Sequence, residues 1–171
     1  ITDIRHKLYA DTLNLNNYDG ALVGGLISET ELWSCTTCGA CMEECPVLIE
    51  HVPTITDMRR HLVLSEGKPP EQSNESLEKT MQNGNPWGMP QHERAKWAED
   101  FDLELPTLAE KKEVDVLYWV GCAGSYDPRN QGIARDLVKI LKNANIDFAI
   151  LGKEETCTGD SERRLGEEYL F

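Results

Sequence analysis

The stretch CTTCGACMEECP, residues 35–46, contains four cysteines separated by two, two and three residues and followed by a proline. A cubane [4Fe–4S] cluster needs thiolates that converge on it from several directions, and two-residue spacings let one tight loop reach three of its irons. Gly39 and Ala40 keep larger side chains out of that loop. The spacing therefore predicts an iron–sulfur cluster with ligands from this run: Cys35, Cys38, Cys41 and Cys45.

The run leaves two alternatives open. In proteins with two clusters, the fourth cysteine of such a run ligates the other cluster, so Cys45 either completes the first cluster or serves a second one. A structural zinc site usually separates two Cys-x2-4-Cys halves by about a dozen or more residues, which suits this run poorly. A zinc-stabilised or metal-free module that binds a partner without redox activity is the alternative hypothesis.

The composition excludes several function classes. The 171 residues include 17 Lys and Arg against 30 Asp and Glu, a formal net charge of −13. This charge argues against nucleic acid as a partner, because nucleic-acid binding rewards clusters of Lys and Arg. No apolar run approaches the roughly 18 to 20 residues of a membrane crossing. No secretory signal opens the chain.

We therefore expect a cytoplasmic location, with any membrane association supplied by segments or partners outside this chain. Because the sequence starts at Ile1 and ends at Phe171 without a polar tail, we also expect it to be a piece of a larger polypeptide.

Residues 1–100 are predicted to be mostly helical. The segment SETE, residues 28–31, has the form of a capping box and would begin a helix that runs toward Trp33. Pro53 fits the first turn of another helix. An apolar stripe on that helix precedes Gly67 and consists of Ile55, Met58, Leu62 and Val63.

The middle of the chain is interrupted by turn-forming residues. Residues 67–112 contain clusters of Gly, Pro and Asn, with short helices expected at about 74–82 and 91–99. The acidic stretch 99–113 is predicted to be a domain boundary.

Residues 114–171 are predicted to form a βαβ unit. The apolar run 114–120 is typical of a buried strand that enters a tight loop at Gly121, and residues 146–151 form a second strand. Between them, Asp127 and Pro128 can begin a helix, with one apolar face formed by Ile133, Leu137, Ile140 and Leu141. The fold class is therefore α+β, a helical domain over 1–100 followed by an α/β domain over 114–171.

Two further cysteines follow the predicted strands. Cys122 and Cys157 are separated by 34 residues and could meet at the carboxyl edge of a parallel sheet. Two lone cysteines are more often inert core residues, but the polar surroundings of Cys157 favour a site. Metal ligation and a thiol–disulfide enzyme both remain open for this pair.

Five segments together carry a resemblance to a known family: LWS (32–34) before the cysteine run, DMRR (57–60), NPWG (85–88), WVGC (119–122) and ETCTGD (155–160). With them the sequence resembles the heterodisulfide-reductase-like iron–sulfur proteins. These include iron–sulfur subunits of anaerobic glycerol-3-phosphate dehydrogenase and of glycolate and lactate oxidases. The resemblance points to a membrane-associated branch that passes electrons from electron-transfer flavoprotein to quinone.

The resemblance implies an α-helical ferredoxin-like domain with two cysteine runs, followed by cysteine-rich domains of Cys-Cys-Gly type. It implies that Cys35, Cys38 and Cys41 bind one [4Fe–4S] cluster, while Cys45 would serve the other. Only one run is present here, so the second cluster lacks three of its ligands.

The resemblance also covers the second half of the chain. Cys122 and Cys157 match the opening half of a cysteine-rich domain and are a tentative second metal site. Thr158 stands where the family has a second adjacent cysteine, so a complete non-cubane cluster is not expected from this chain.

The implied function is electron transfer through a [4Fe–4S] cluster, as a module or subunit of a larger oxidoreductase rather than a complete enzyme. The implied partners are redox proteins, with a flavoprotein donor such as electron-transfer flavoprotein or a flavin dehydrogenase, and a quinone or membrane subunit as a further candidate. No nucleophile–base pair or pair of catalytic carboxylates is recognisable. The pairs Arg59-Arg60 and Arg163-Arg164 are predicted to be solvated or salt-bridged, and Trp33 either shields a cluster or anchors its helix.

Overall fold

The computed structural model describes residues 20–99 and 103–171. Over these residues the helices are α1 (Glu29–Trp33), α2 (Ala40–Glu43), α3 (His51–Arg60), α4 (Asn74–Asn83), α5 (Lys96–Glu99), α6 (Gly121–Tyr126), α7 (Pro128–Asn143) and α8 (Asp160–Leu165), and the strands are β1 (Val116–Tyr118) and β2 (Phe148–Ile150). A π-helical turn, His61–Ser65, continues α3, and 3₁₀ turns lie at Glu71–Ser73, Gln91–Glu93 and Gly152–Glu154. The predicted α+β class is confirmed.

The chain packs as two compact units. The first contains the described residues up to Glu71 together with 160–169 and Phe171, and the second contains the described residues of 72–159 together with Leu170. The domain limits 1–100 and 114–171 stay a prediction, since these units describe packing rather than segments that fold alone.

The first unit is built around short helices that the sequence predicts well. The Ser28 hydroxyl accepts a hydrogen bond from the Glu31 N–H at 3.3 Å, while the Glu31 carboxylate accepts one from the Ser28 N–H at 2.9 Å, so the predicted capping box begins α1. Helix α3 begins at His51, two residues before Pro53. The core of the unit is Ile27, Leu32, Ile55 and Leu62.

Helix α8 packs on α3 within the first unit, at a place where only glycine fits. Gly166 has a φ of +83°, and a Cβ on it would clash with the backbone of Arg59 and Arg60. The close approach brings the carboxyl end of α8 against the last turn of α3.

The second unit contains the predicted βαβ arrangement. Strands β1 and β2 pair in parallel, with Val116 opposite Phe148, and α7 lies between them in the chain. The Asp127 carboxylate accepts a hydrogen bond from the Asn130 N–H at 2.9 Å, and Pro128 occupies the first turn of α7, as predicted. None of the described helices is long and apolar enough to cross a bilayer.

The prediction that residues 114–120 form a buried strand is wrong. Val116 and Leu117 are 38% and 43% exposed, whereas β2 is fully buried. The reason is the position of each strand, since β2 pairs with β1 on one side and with Thr107 on the other. Strand β1 therefore lies at an edge of the described sheet. The chain after it also forms helix α6 rather than the predicted tight loop.

The predicted apolar face of α7 is wrong for three of its four residues, whereas the fourth, Leu141, packs against the core. Ala134 and Val138 are buried against Phe148 and Trp97, with Leu141 partly buried beside them. The residues expected in the core are largely exposed: Ile133 (57%), Leu137 (37%) and Ile140 (62%). The buried set and the exposed set have the same helical spacing. The small side chain of Ala134 lets the buried face approach the sheet.

Candidate metal-binding sites

The cysteine loop, which we define as residues 35–45, surrounds a cavity in the first unit. It follows α1, and Gly39 has a φ of +77° where the loop turns into α2. A cavity of about 270 Å³ is lined by three of the four predicted ligands, Cys35, Cys38 and Cys41. The two-residue spacings thus bring three thiols to one space.

Cys45 is placed differently. It is 7% exposed and does not line that cavity. Its Sγ accepts a hydrogen bond from the Ile49 N–H at 3.3 Å. The structure brings together three of the run's cysteines and sets the fourth apart.

The cysteines of the loop supply the kind of donor that an iron–sulfur cluster takes. Across residues 20–99 and 103–171, no three His, Cys, Asp or Glu side chains come together closely enough to hold a single ion. Cys35, Cys38 and Cys41 instead line one cavity, and thiolates are the donors that Fe–S clusters take. The chemistry of this donor set therefore suits an iron–sulfur cluster.

One cysteine of the loop, Cys38, has hydrogen-bond donors that favour its thiolate form. The backbone N–H of Ala40, together with the Thr36 side chain, lowers the pKa of the exposed Cys38. The Thr37 N–H lies 3.4 Å from Cys35 Sγ and donates to it. Because a metal binds the thiolate form, these donors prepare the loop for metal.

Sequence reasoning missed the buried Arg59 beneath the cysteine loop. Arg59 is 3% exposed, so the prediction of a solvated or salt-bridged side chain is wrong for this residue. Its guanidinium donates to three backbone carbonyls: Leu32 at 2.7 Å, Cys35 at 2.6 Å and Arg164 at 2.9 Å. Burial lowers the pKa of Arg59, and the Cys35 thiolate opposes that shift.

The other three arginines of the predicted pairs behave as expected. Arg60 forms ion pairs with Asp57 and Glu168. Arg163 and Arg164 are exposed, and Arg164 pairs with Asp160.

Trp33 packs on the core and lies under the Arg59 guanidinium at 5.0 Å from ring centroid to Cζ. It does not line the cavity. These contacts favour the anchoring role over the shielding role.

The second candidate site lies in the second unit. Cys122 is in the first turn of α6, and Cys157 follows the turn after β2. Their thiols interact with each other at the carboxyl ends of the two strands. Two thiols are half of the ligand set that a tetrahedral zinc or an iron of a cluster takes.

A buried ion pair supports this site. Arg94 and Glu155 are each 1% exposed, and Arg94 Nη2 lies 2.8 Å from Glu155 Oε1. The same Nη2 donates to Cys122 Sγ at 3.5 Å and to the Thr156 carbonyl at 3.0 Å. Arg94 therefore contacts Cys122 itself and the residue before Cys157.

Glu155 holds the other backbone segment of the site. Its carboxylate accepts the N–H groups of Val120 at 2.9 Å and Gly121 at 2.8 Å, directly before Cys122. Gly121 has a φ of +75°, which lets the chain turn from β1 into α6. Together, Arg94 and Glu155 fix both segments that carry the cysteines.

Burial raises the pKa of Cys122 to about 11, against the lowering effect of Arg94. Cys122 is therefore a neutral thiol near neutral pH, which disfavours a thiol–disulfide enzyme because the thiolate is the nucleophile. Arg94 Nη1 is buried and has no acceptor among the described residues, which fits an anionic group bound beside Cys122. In the sequence, the only sign of this network was the acidic residue Glu155, two residues before Cys157.

A family model for a cysteine-rich domain, CCG, matches residues 116–171. The chain is 46% identical over 160 residues to the "Probable iron-sulfur-binding oxidoreductase FadF" of Bacillus subtilis, which covers 91% of this chain and 23% of that protein. It is 39% identical over 160 residues to the "EtfAB:quinone oxidoreductase" of Syntrophomonas wolfei, covering 92% and 22%. It is 28% identical over 141 residues to one subunit of the dihydromethanophenazine:CoB--CoM heterodisulfide reductase of Methanosarcina barkeri, covering 82% and 32%. No solved structure matches the chain.

The chain spans between 22% and 32% of the length of these curated relatives. All three matches extend over more than four fifths of this chain. The resemblance drawn from the sequence is confirmed: the chain is a relative of the heterodisulfide-reductase-like iron–sulfur proteins, with a CCG cysteine-rich domain over residues 116–171.

Proposed function

We propose that this chain is the electron-transfer part of a larger oxidoreductase and binds a [4Fe–4S] cluster through Cys35, Cys38 and Cys41. The fourth ligand is Cys45 or a cysteine outside this chain. The observation that supports the proposal most strongly is the cavity lined by three thiols of the cysteine loop. The iron–sulfur relatives support the same class of cofactor.

A bound cluster would accept and release single electrons. The chain's own residues hold its irons, and the Ala40 N–H favours the thiolate form of Cys38. This role requires no residue of the chain to bind an organic substrate. The role of the loop is to hold the electron carrier at a position near the surface, since Cys38 is exposed.

Cys122 and Cys157 are proposed to give two thiolates to a second metal centre, whose other ligands come from elsewhere. The orphaned Arg94 Nη1 supports an anionic group at this place.

The proposed partners are a flavoprotein donor, such as electron-transfer flavoprotein or a flavin dehydrogenase, and a quinone or a membrane subunit as acceptor. One relative is named for EtfAB and quinone, which supports both classes. The net charge of −13 suits a donor with a basic docking face. Membrane association is then proposed to come from the acceptor side.

Spectroscopy of anaerobically purified protein tests this function. We expect a broad absorption at about 400 nm and, after reduction, a fast-relaxing EPR signal of a [4Fe–4S] cluster. The variant Cys38→Ser should lose both signals, whereas Cys157→Ser should keep the signals of the loop cluster. A colourless protein with one zinc and no iron would instead support the partner-binding module.

A further inference from the structure

Arg59 is a buried cation that faces no carboxylate in the described part of the chain. Its side chain is 3% exposed, and its hydrogen bonds go to neutral backbone carbonyls, one of which belongs to Cys35. The Trp33 ring lies under the guanidinium and carries no charge either. The Nε of Arg59 is buried without an acceptor among the same residues.

An uncompensated buried guanidinium is costly, because the charge leaves water without a counter-charge. The second unit shows the usual solution, where the equally buried Arg94 faces the carboxylate of Glu155. The first unit places no such carboxylate at Arg59 among its described residues, so an anion is missing from its surroundings. The cysteine loop directly above is where thiolates converge.

A [4Fe–4S] cluster held by thiolates is anionic and becomes one charge more negative when it takes up an electron. A nearby fixed positive charge therefore stabilises the reduced form more than the oxidised form, most strongly at a buried site where water screens little. The 2.6 Å hydrogen bond to the Cys35 carbonyl holds the guanidinium close to the first ligand.

We propose that Arg59 is the counter-charge of the cluster bound at Cys35 and that it raises the cluster's reduction potential. The inference rests on the proposed function. Arg59 does not line the cavity, so it is not a ligand of the cluster. It is a positioning residue: its hydrogen bond to the Cys35 carbonyl holds it in place, and its charge acts on the cluster from there. In the reduction that it favours, one electron from an external reductant enters the cluster, and Arg59 neither gains nor loses a proton.

A redox titration with dithionite, followed by EPR on the anaerobically purified protein, tests the role of the charge. We expect Arg59→Gln to lower the midpoint potential by at least a tenfold shift in the reduction equilibrium, about 59 mV for one electron. Arg59→Lys keeps the charge and should stay close to the wild-type potential. Arg60→Gln removes the same charge one residue away, from a side chain that already pairs with Asp57 and Glu168, and should leave the potential unchanged.

The iron and sulfide contents are measured first, because they separate the claim that a cluster is bound from the claim that Arg59 sets its potential. A wild-type protein without iron overturns the proposed function, whereas a loaded protein whose potential is the same with Arg59→Gln overturns only this inference. An equal fall for Arg60→Gln also overturns it, because the effect would then be one of general charge. If Arg59→Gln retains no cluster, Arg59→Lys decides: a loaded cluster with a wild-type potential supports the counter-charge, and loss of the cluster in both shows a structural role only.

Discussion

The two units each contain a buried arginine beside a cysteine, but the surroundings of the two arginines differ. Arg94 faces Glu155 and Cys122; burial acts to lower its pKa, but these two groups together outweigh burial, so the pKa is raised. Arg59 faces backbone carbonyls, the Trp33 ring and Cys35 but no carboxylate among the described residues, and burial lowers its pKa. In the first arrangement the guanidinium has a carboxylate partner, and the pair holds the backbone of the site. The second is incomplete without an anion in the cysteine loop.

The cysteines of the two units also differ, both in exposure and in the direction of their pKa shifts. Cys38 is exposed, and hydrogen-bond donors lower its pKa, whereas Cys122 is buried and its pKa is raised to about 11. A loop of three thiols with donors around it can take up metal directly. The pair in the second unit must lose a proton from a buried thiol before it can bind metal.

The largest expected effect separates Cys45 from the other cysteines of the loop. Cys38→Ser should remove nearly all iron, because Cys38 lines the cavity. Cys45→Ser should leave substantial iron in a protein that carries a second cysteine run, and should strip most of it from the isolated 171-residue chain. Iron analysis of both variants in both contexts measures this. Equal iron loss in the longer protein would show that Cys45 is a ligand of the Cys35 cluster.

The second prediction concerns the complete ion pair. Glu155→Ala leaves Arg94 buried without its carboxylate and removes the acceptor of the Val120 and Gly121 N–H groups, so we expect a loss of about 3–5 kcal/mol in the free energy of unfolding. Urea denaturation measures it. The neighbouring Glu154 is exposed, and Glu154→Ala should cost about 0.5 kcal/mol or less. Similar values for the two variants would contradict the role given to the pair.

The third prediction compares the two kinds of thiol by alkylation of the metal-free protein. Iodoacetamide reacts with thiolate, so Cys38 should be labelled at a lower pH than an ordinary cysteine, because its pKa is lowered. Cys122 has a pKa of about 11 against the ordinary 9.0, which leaves it about a hundredfold less thiolate at pH 8. Its labelling should rise only as the pH approaches 11. Peptide mass spectrometry reports both rates, and equal rates at pH 8 would refute the difference.

The smallest expected effects test which face of α7 is in the core. Val138 is fully buried, so Val138→Ala should cost about 2 kcal/mol of unfolding free energy. Ile140 is 62% exposed, and Ile140→Ala should change the free energy of unfolding by about 0.5 kcal/mol or less. Urea titrations of both variants measure these two changes. A larger loss for Ile140→Ala than for Val138→Ala would show that the face predicted from the sequence is the buried one.

Local signals in the sequence predicted the local structure. The capping box at Ser28, the cap at Asp127 and the short spacings of the cysteine loop each involve residues within a few positions of one another. These contacts depend little on the rest of the fold.

The failures all depend on contacts between distant residues. Arg59 is buried because the Arg164 carbonyl, far along the chain, reaches its guanidinium, and Arg94 meets Glu155 from another segment. The exposure of β1 depends on which strand lies at the edge of the sheet, which its own residues do not encode. Neither helical spacing nor charge count contains this information.

Native mass spectrometry of the anaerobically purified protein tests the central claim most directly, because it weighs what the cysteine loop holds. The account predicts a mass increase of about 350 Da, corresponding to four irons and four sulfides, that disappears in Cys38→Ser. An increase of about 65 Da in its place, the mass of one zinc ion, would contradict it.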